Sequence, residues 1–184
     1  MSARSPQPDI PSFEVNVTTL PRAGFPLALR PDAAERERIA RACGVEGFDL
    51  LEADLTLTRW RGDGVELRGE VHAIVRQECV VTLEPVTNEI REQLAVTFLP
   101  PDSKLARDEE ASQELVLDPE GPDIPESFSG EAIDVWPVVV ECLILAIDPY
   151  PRAPGAELDS RYVGGQEERE SPFSVLKSAK IDKK

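Results

Sequence analysis

Cysteine and histidine are the residue types of this chain that could do chemistry, and both are scarce. The sequence contains three cysteines, Cys43, Cys79 and Cys142, and a single histidine, His72. A thiolate zinc site usually presents two cysteines two residues apart on each of two loops. Cys79 would begin the first pair, but its partner position holds Thr82, and the sequence has no second pair. The spacing therefore argues against a structural metal, and we expect no cofactor.

Catalysis by a thiol or an imidazole finds equally little support. Glu78 and Glu84 flank Cys79 and are expected to raise its pKa, which would disfavour the reactive thiolate. His72 falls on the polar face of a predicted strand, where a lone histidine is usually an ordinary surface residue. The sequence also lacks a Gly-x-Ser-x-Gly elbow, a phosphate-binding Gly-rich loop with a lysine, and a His-Glu-x-x-His helix. We therefore expect a protein that is not an enzyme and has no small-molecule substrate.

One candidate binding residue is Trp60, which stands between Arg59 and Arg61 at the tip of a predicted hairpin. An aromatic ring between two guanidinium groups could stack on an RNA base or fill a protein interface. The same arrangement is also typical of local packing at a hairpin.

The second candidate is the proline-rich segment 149–154, with Tyr150, Pro151 and Arg152 at its centre. Its restricted backbone lowers the conformational entropy that is lost when it docks against a partner. The alternative is that the segment simply crosses the sheet as a loop. Both interpretations remain open on the sequence.

Net charge separates the classes of partner. The chain carries 20 basic and 35 acidic side chains, for a net charge of −15. Such a charge repels phosphate backbones and favours a basic protein partner, because long-range attraction raises the association rate. Solubility alone is the other explanation for this charge.

The acidity is concentrated in residues 102–134, which hold eleven acidic residues, among them Glu109 and Glu110, against two basic ones, Lys104 and Arg107. The local balance is −9. We predict a long acidic loop, with at most a short strand at 115–117, because such a composition buries too little apolar surface to offset its ordering entropy.

Alternating apolar residues predict the sheet that must position these candidates. Period-two patterns mark strands at 13–20, 50–60, 65–78 and 88–99, and a further short strand is possible at 24–29. The 50–60 and 65–78 strands should form a long antiparallel hairpin with one buried and one wet face. The predicted class is α+β, an antiparallel sheet with one main covering helix and a few short helices.

Two helices follow from capping and length signals. Asp32 with Glu35 forms a capping box for a helix that ends at Cys43 before Gly44. The apolar run 133–147 fits a buried helix. Its predicted N-cap is Asp134, and the predicted buried face carries four residues: Val138, Cys142, Leu145 and Ala146.

Length and composition predict a single domain over 13–176, with a disordered N-terminal tail at 1–12 and a basic C-terminal tail at 177–184. No apolar run approaches the ~20 residues that a membrane-spanning helix needs, and the N-terminus lacks the apolar core of a signal peptide. Three widely spaced cysteines argue against a disulfide framework. We therefore expect a cytoplasmic protein.

Four pieces of sequence carry a family resemblance: Glu78 to Pro85 (ECVVTLEP), Asp148 to Gly155 (DPYPRAPG), Gly69 ahead of the first, and Ser171 to Leu176 (SPFSVL) near the C-terminus. Together they resemble the bacterial YceD family, named for large ribosomal RNA subunit accumulation. The resemblance covers roughly residues 13–176, and Tyr150 to Ala156 is similar to the alphaproteobacterial branch.

Many members of that family carry a Cys-x-x-Cys pair near the Leu-Glu-Pro turn, whereas this chain pairs Cys79 with Thr82. The resemblance implies a non-enzymatic factor needed for normal accumulation of large-subunit ribosomal RNA, acting in subunit assembly or precursor processing. It brings no catalytic residues.

Combined with the negative charge, the resemblance predicts binding to a basic ribosomal protein or a large-subunit assembly factor. Two alternatives stay open: a direct RNA-binding module that uses Trp60, its two arginine neighbours and the lysine tail, and an acidic interaction domain unrelated to ribosomes.

Overall fold

The computed structural model describes residues 9–103, Leu105 and 125–157. Among them the alternating segments build a five-stranded sheet in the order β2-β3-β4-β5-β6, antiparallel except for the β5–β6 pair. Its strands are β2 Phe25–Leu29, β3 Gly47–Trp60, β4 Gly64–Glu78, β5 Pro85–Leu99 and β6 Glu126–Ser127. The remaining described elements are β1 Glu14–Asn16, β7 Ala132–Asp134, α1 Ala33–Cys43 and α2 Trp136–Ala146.

The sheet has one apolar and one polar face, as the alternation predicts. Leu55 and Leu57 of β3 and Leu67 and Val71 of β4 are buried beneath the helices. The opposite face carries charged side chains, such as the Arg68–Glu66 ion pair within β4 at 2.7 Å. Because side chains alternate with period two, a slip of one residue would exchange these faces, so burial fixes the register.

Gly69 is required where β3 and β4 approach each other too closely for a side chain. It lies opposite Leu55 in the β3–β4 register. A Cβ atom at position 69 would overlap the carbonyl oxygen of Asp54 and lie 2.7 Å from the Cα atom of Leu55. The close backbone approach thus excludes every side chain at this position.

Helix α1 begins and ends as its sequence predicts. The Asp32 carboxylate accepts a hydrogen bond from the Glu35 backbone N–H at 2.8 Å, and Glu35 accepts one from the Asp32 N–H at 2.9 Å. Gly44 ends the helix with a left-handed φ of 70°. Ile39 and Ala40 are buried where the helix packs against β3 and α2.

Helix α2 is shorter than predicted, and its buried face differs in part from the predicted one. It begins at Trp136 with Val135 as N-cap, because residues 132–134 form strand β7 instead. Of the predicted buried face, Val138 is buried and Cys142 and Ala146 are half-buried against the core, whereas the prediction was wrong for Leu145, which is 81% exposed. The helix buries five side chains in the core: Trp136, Val138, Val139, Val140 and Leu143. Burying each contributes roughly 1.5–3 kcal/mol to stability.

Strand pairing departs from the sequence prediction at both ends of the described chain. The first predicted strand, 13–20, does not join the main sheet, because its ordered part, β1, pairs with β7 in a separate two-stranded sheet. The edge strand of the main sheet is instead β2, which forms within the short segment 24–29 that the sequence offered as a further strand. The prediction of an irregular loop through 102–134 was also wrong at its end, where β6 and β7 form.

Several predicted segments lie outside the described residues: most of the N-terminal tail, the centre of the acidic stretch with Glu109 and Glu110, the short strand at 115–117, and the C-terminal segment from residue 158 onward. No helix in the described part of the chain is long and apolar enough to cross a membrane.

Substitution of Gly69 by alanine tests the close approach of β3 and β4. We expect Gly69→Ala to lower the free energy of unfolding by about 2–3 kcal/mol, because the added methyl group must displace backbone atoms. Gly44→Ala is the matched control, since its Cβ would meet no atom within 4 Å and only its left-handed backbone costs about 1 kcal/mol. If urea unfolding shows that both variants lose the same free energy of unfolding, the steric explanation is contradicted.

Candidate functional site

The two segments that carry the family resemblance, 78–85 and 148–155, contact each other in the structure. The turn 79–84 connects β4 to β5, and the chain that leaves α2 crosses this turn. We call the turn 79–84 together with residues 148–153 the Cys79 junction. The sequence suggested each segment separately, and the structure brings them together.

The turn is closed by hydrogen bonds centred on Cys79. The Cys79 backbone N–H donates to the Glu84 carbonyl at 2.8 Å, and the Leu83 N–H donates to the Cys79 carbonyl at 2.9 Å. The Thr82 N–H points at the Cys79 sulfur, with an N···Sγ distance of 3.4 Å. Leu83 adopts a left-handed φ of 60°, a conformation unusual for a leucine. The turn is therefore held tightly enough to impose backbone strain.

Main-chain hydrogen bonds attach the second segment to this turn. The Val80 N–H donates to the Pro151 carbonyl at 3.0 Å, and the Ala153 N–H donates to Cys79 Sγ at 3.2 Å. The Gln77 side-chain amide donates to the Asp148 carbonyl at 2.8 Å. These contacts join residues more than seventy positions apart. The proline segment is a loop, but it crosses the turn 79–84 rather than the sheet.

Hydrogen bonding lowers the pKa of Cys79 to about 7. The Thr82 hydroxyl is the largest cause, followed by the backbone N–H of Ala153, while burial opposes the shift. The sequence prediction that neighbouring glutamates raise this pKa was wrong, because donors aimed at the sulfur determine it. Burial raises the pKa of Cys43 to about 11, and burial followed by the charge of Glu92 raises that of Cys142.

The Cys79 sulfur therefore acts mainly as a hydrogen-bond acceptor and is poorly placed to react. Its side chain is fully buried, so a dissolved electrophile has no direct access to the sulfur. Thr82 supplies a hydroxyl that hydrogen-bonds the sulfur in place of the second cysteine of the family pattern. Among the described residues, no three His, Cys, Asp or Glu side chains lie close enough together to hold a metal ion.

The outer surface of the Cys79 junction is apolar. Val80 is 47% exposed, Leu83 68% and Tyr150 71%. Arg152 is exposed beside them in sequence, whereas Pro151 is buried beneath. Large apolar side chains held at a rigid surface are typical of protein interfaces. Sequence reasoning missed Val80 and Leu83, although apolar residues in a tight turn, where polar ones are usual, were a signal.

Trp60 lies far from this surface. It pairs with Gly64 at the first residue of β4, whereas the junction follows the last, Glu78. A strand of that length places them roughly 45 Å apart. The guanidinium of Arg61 lies 4.8 Å from the centre of the Trp60 ring. Arg59 donates to the Leu20 and Thr18 carbonyls at 3.3 and 3.0 Å, so these side chains already have local partners.

His72 belongs to a row of polar side chains across three strands on the polar face of the sheet. Its Nδ1 atom lies 3.3 Å from a Glu52 oxygen, and its Nε2 atom lies 2.9 Å from a Glu89 oxygen. Arg91, and to a lesser degree His72, hold the pKa of Glu89 below its usual value. These contacts are cross-strand pairs that support the sheet.

Replacement of Thr82 by valine tests the origin of the low Cys79 pKa. We expect the pKa to rise toward 9.0, because the hydroxyl is its largest cause. A lowered native pKa adds stability that is fully present above about pH 9 and is lost as the pH falls through about 7. Urea unfolding should therefore show that the free energy of unfolding rises less from pH 7 to pH 9 in Thr82→Val than in the parent.

Thr87→Val is the control, since Thr87 is an exposed threonine on β5. Both variants are compared in chains that keep Cys79 as their only cysteine, and ultraviolet absorbance follows its thiolate. The same titration curve for both variants would contradict the assignment.

Comparison with known proteins adds one finding. The family model described as "Large ribosomal RNA subunit accumulation protein YceD" matches residues 67–180, which include most of β4, all of β5 and α2, and both segments of the Cys79 junction. No curated protein and no solved structure matches the chain. Because the matched region is well over half of the sequence, the chain belongs to the YceD family of large ribosomal RNA subunit accumulation proteins.

Proposed function

We propose that this protein supports the accumulation of large-subunit ribosomal RNA during ribosome assembly, without catalysis, by binding a basic protein partner. The family match carries the proposal, because the family is named for large ribosomal RNA subunit accumulation. The partner would be a basic ribosomal protein or a large-subunit assembly factor. The candidate contact surface is the Cys79 junction.

The geometry of the junction supports a binding role. Tyr150, Val80 and Leu83 present apolar surface on segments that hydrogen bonds hold in place. A surface that is already ordered loses little conformational entropy on docking, and tyrosine contributes much of the energy at protein interfaces. Exposed Arg152 would provide directional hydrogen bonds at the edge of the contact.

Charge supports a basic protein over RNA as the direct partner. With −15 overall, the chain lacks the positive field that dominates nucleic-acid affinity. The arginines beside Trp60 donate to backbone carbonyls or lie over its ring, so RNA binding there would have to break existing contacts. Glu109 and Glu110 in the acidic stretch would instead attract the basic partner before docking.

Depletion of the protein from its host tests the proposed role in ribosomal RNA accumulation. We expect the ratio of large-subunit to small-subunit ribosomal RNA to fall, and the parent gene supplied on a plasmid to restore it. A double variant, Leu83→Ser with Tyr150→Ala, should restore it only partly, because both side chains are exposed at the junction and the fold does not need them. Full rescue by this variant would remove the junction from the proposal, and an unchanged ratio on depletion would refute the role itself.

Affinity purification at low and high salt tests the nature of the partner. We expect a basic large-subunit protein or assembly factor to be recovered from host lysate, to resist nuclease, and to be weakened by salt. Glu109→Gln with Glu110→Gln should flatten the salt dependence, because it removes two charges from the acidic stretch.

The control for charge alone is Glu37→Gln with Glu46→Gln, which makes the same change in net charge at two exposed positions on and just after α1. If nuclease abolishes recovery, direct RNA contact replaces the protein-partner proposal. If the two double variants show the same salt dependence of partner recovery, only the overall charge of the protein determines that dependence.

A further inference from the structure

A groove lies between α2 and the outer edge of β5, away from the turn of the Cys79 junction. It holds about 560 Å³ and is lined on the sheet side by the consecutive residues 92–97. The helix side contributes five residues: Val138, Glu141, Cys142, Leu145 and Ala146. A strand edge on one side and a helix on the other form a slot suited to an extended peptide.

The backbone of β5 is available along this slot. Within the described residues, β5 pairs with β4 along its whole length but has a partner on its other side only at Phe98 and Leu99, where β6 lies parallel to it. Residues 92–97 therefore present an edge whose outward N–H and C=O groups lack a described strand partner. Such an edge is a template for the addition of another strand.

The floor and outer lip of the groove are apolar. Leu94 is buried at its base, Val96 and Cys142 are half-buried, and Leu145 on the helix is 81% exposed. The other face of α2 fills the core, so the exposed Leu145 side chain adds nothing to the stability of the fold. Its position beside the strand edge would let it cover an added strand.

The charged side chains of the groove are all acidic. Glu92, Glu126 and Glu141 line it, and no lysine or arginine is among the described lining residues. Partial burial, and next the charge of Glu141, raise the pKa of Glu126. The smaller of these two causes is repulsion between the Glu126 and Glu141 carboxylates, which positive charge placed beside them would relieve.

We propose that this groove binds an extended, lysine- or arginine-bearing segment of a partner protein, which adds as a strand to residues 92–97 of β5. Backbone hydrogen bonds to the strand edge would give affinity, and apolar side chains of the segment would contact Leu94, Val96 and Leu145. The three carboxylates would select basic over acidic segments. The inference rests on the proposed function in that it supplies a site for the basic partner.

The experiment uses the full chain and two fluorescein-labelled peptides, one of alternating valine and lysine and one of alternating valine and glutamate. Fluorescence anisotropy should show binding of the lysine peptide only, weakened by salt. Hydrogen exchange should show that the alternate amides of residues 92–97 that point away from β4 are slowed on binding, by roughly tenfold or more if strand pairing is formed. Alkylation of Cys142, which lines the groove, should slow as well.

Two substitutions with matched controls locate the binding. Leu145→Ser should weaken the lysine peptide about tenfold, whereas Leu83→Ser at the junction, also an exposed leucine, should leave it unchanged. Glu92→Lys with Glu141→Lys should abolish binding of the lysine peptide and permit binding of the glutamate peptide. All of these side chains are exposed, and urea unfolding checks that the fold persists.

Three outcomes would overturn the inference. The first is that neither peptide binds, and the second is that the groove variants and the junction variant behave alike. The third is that the amides of residues 92–97 that point away from β4 are already protected in the free chain and lose protection when residues 171–184 are removed, which would make the chain's own C-terminal segment the occupant.

The two proposals can fail separately. If the lysine peptide binds at the groove but depletion leaves the ribosomal RNA ratio unchanged, the groove stands and the proposed function falls. If depletion lowers the ratio but the groove variants bind peptide as the parent does, the proposed function stands and the groove falls.

Discussion

The alternation of apolar and polar side chains along β3, β4 and β5 is the constraint on which the rest of the structure depends. These strands place Leu55, Leu57, Leu67 and Val71 on one side of the sheet and leave the other side to ion pairs. Since only the apolar side needs cover, both described helices pack there. Among the described residues, this arrangement leaves the edge of β5 at 92–97 and the turn after β4 available for contacts with other molecules.

The Cys79 sulfur helps to hold that turn in place. Cys79 Sγ accepts N–H groups from Thr82 in the turn and from Ala153 in the distant segment, so one buried atom joins the two parts of the Cys79 junction. In a Cys-x-x-Cys turn a metal could serve the same purpose with two thiolates. Here Thr82 hydrogen-bonds the sulfur itself, and the junction closes through hydrogen bonds alone.

The sequence predicted the parts of the fold that depend on local signals. The hairpin of β3 and β4 followed from period-two alternation, and α1 followed from the capping box of Asp32 and Glu35. The face of α2 could not be predicted, because almost every residue from Trp136 to Ala146 is apolar and no period distinguishes one face. Only packing against the sheet selects Val139 and Leu143.

Long-range contacts were equally hidden from the sequence. Nothing local indicates that β1 pairs with β7 or that the Ala153 N–H reaches Cys79, since both contacts are set by where the sheet and α2 place the chain. The family resemblance marked both segments of the junction, but as separate stretches. The exposed residues Val80 and Leu83 indicate a contact surface only when the two segments are considered together.

The pairing of β1 with β7 also constrains how the chain folds during its synthesis. The Phe13 N–H donates to the Asp134 side chain at 2.9 Å, across 121 residues. A ribosome adding roughly 5–20 residues per second needs about 6–24 s to make that stretch. The β3–β4–β5 sheet can form during this interval, whereas the N-terminal strand must wait for β7. Val15 thus remains without its native cover on the nascent chain, and an early-acting chaperone would encounter this end first.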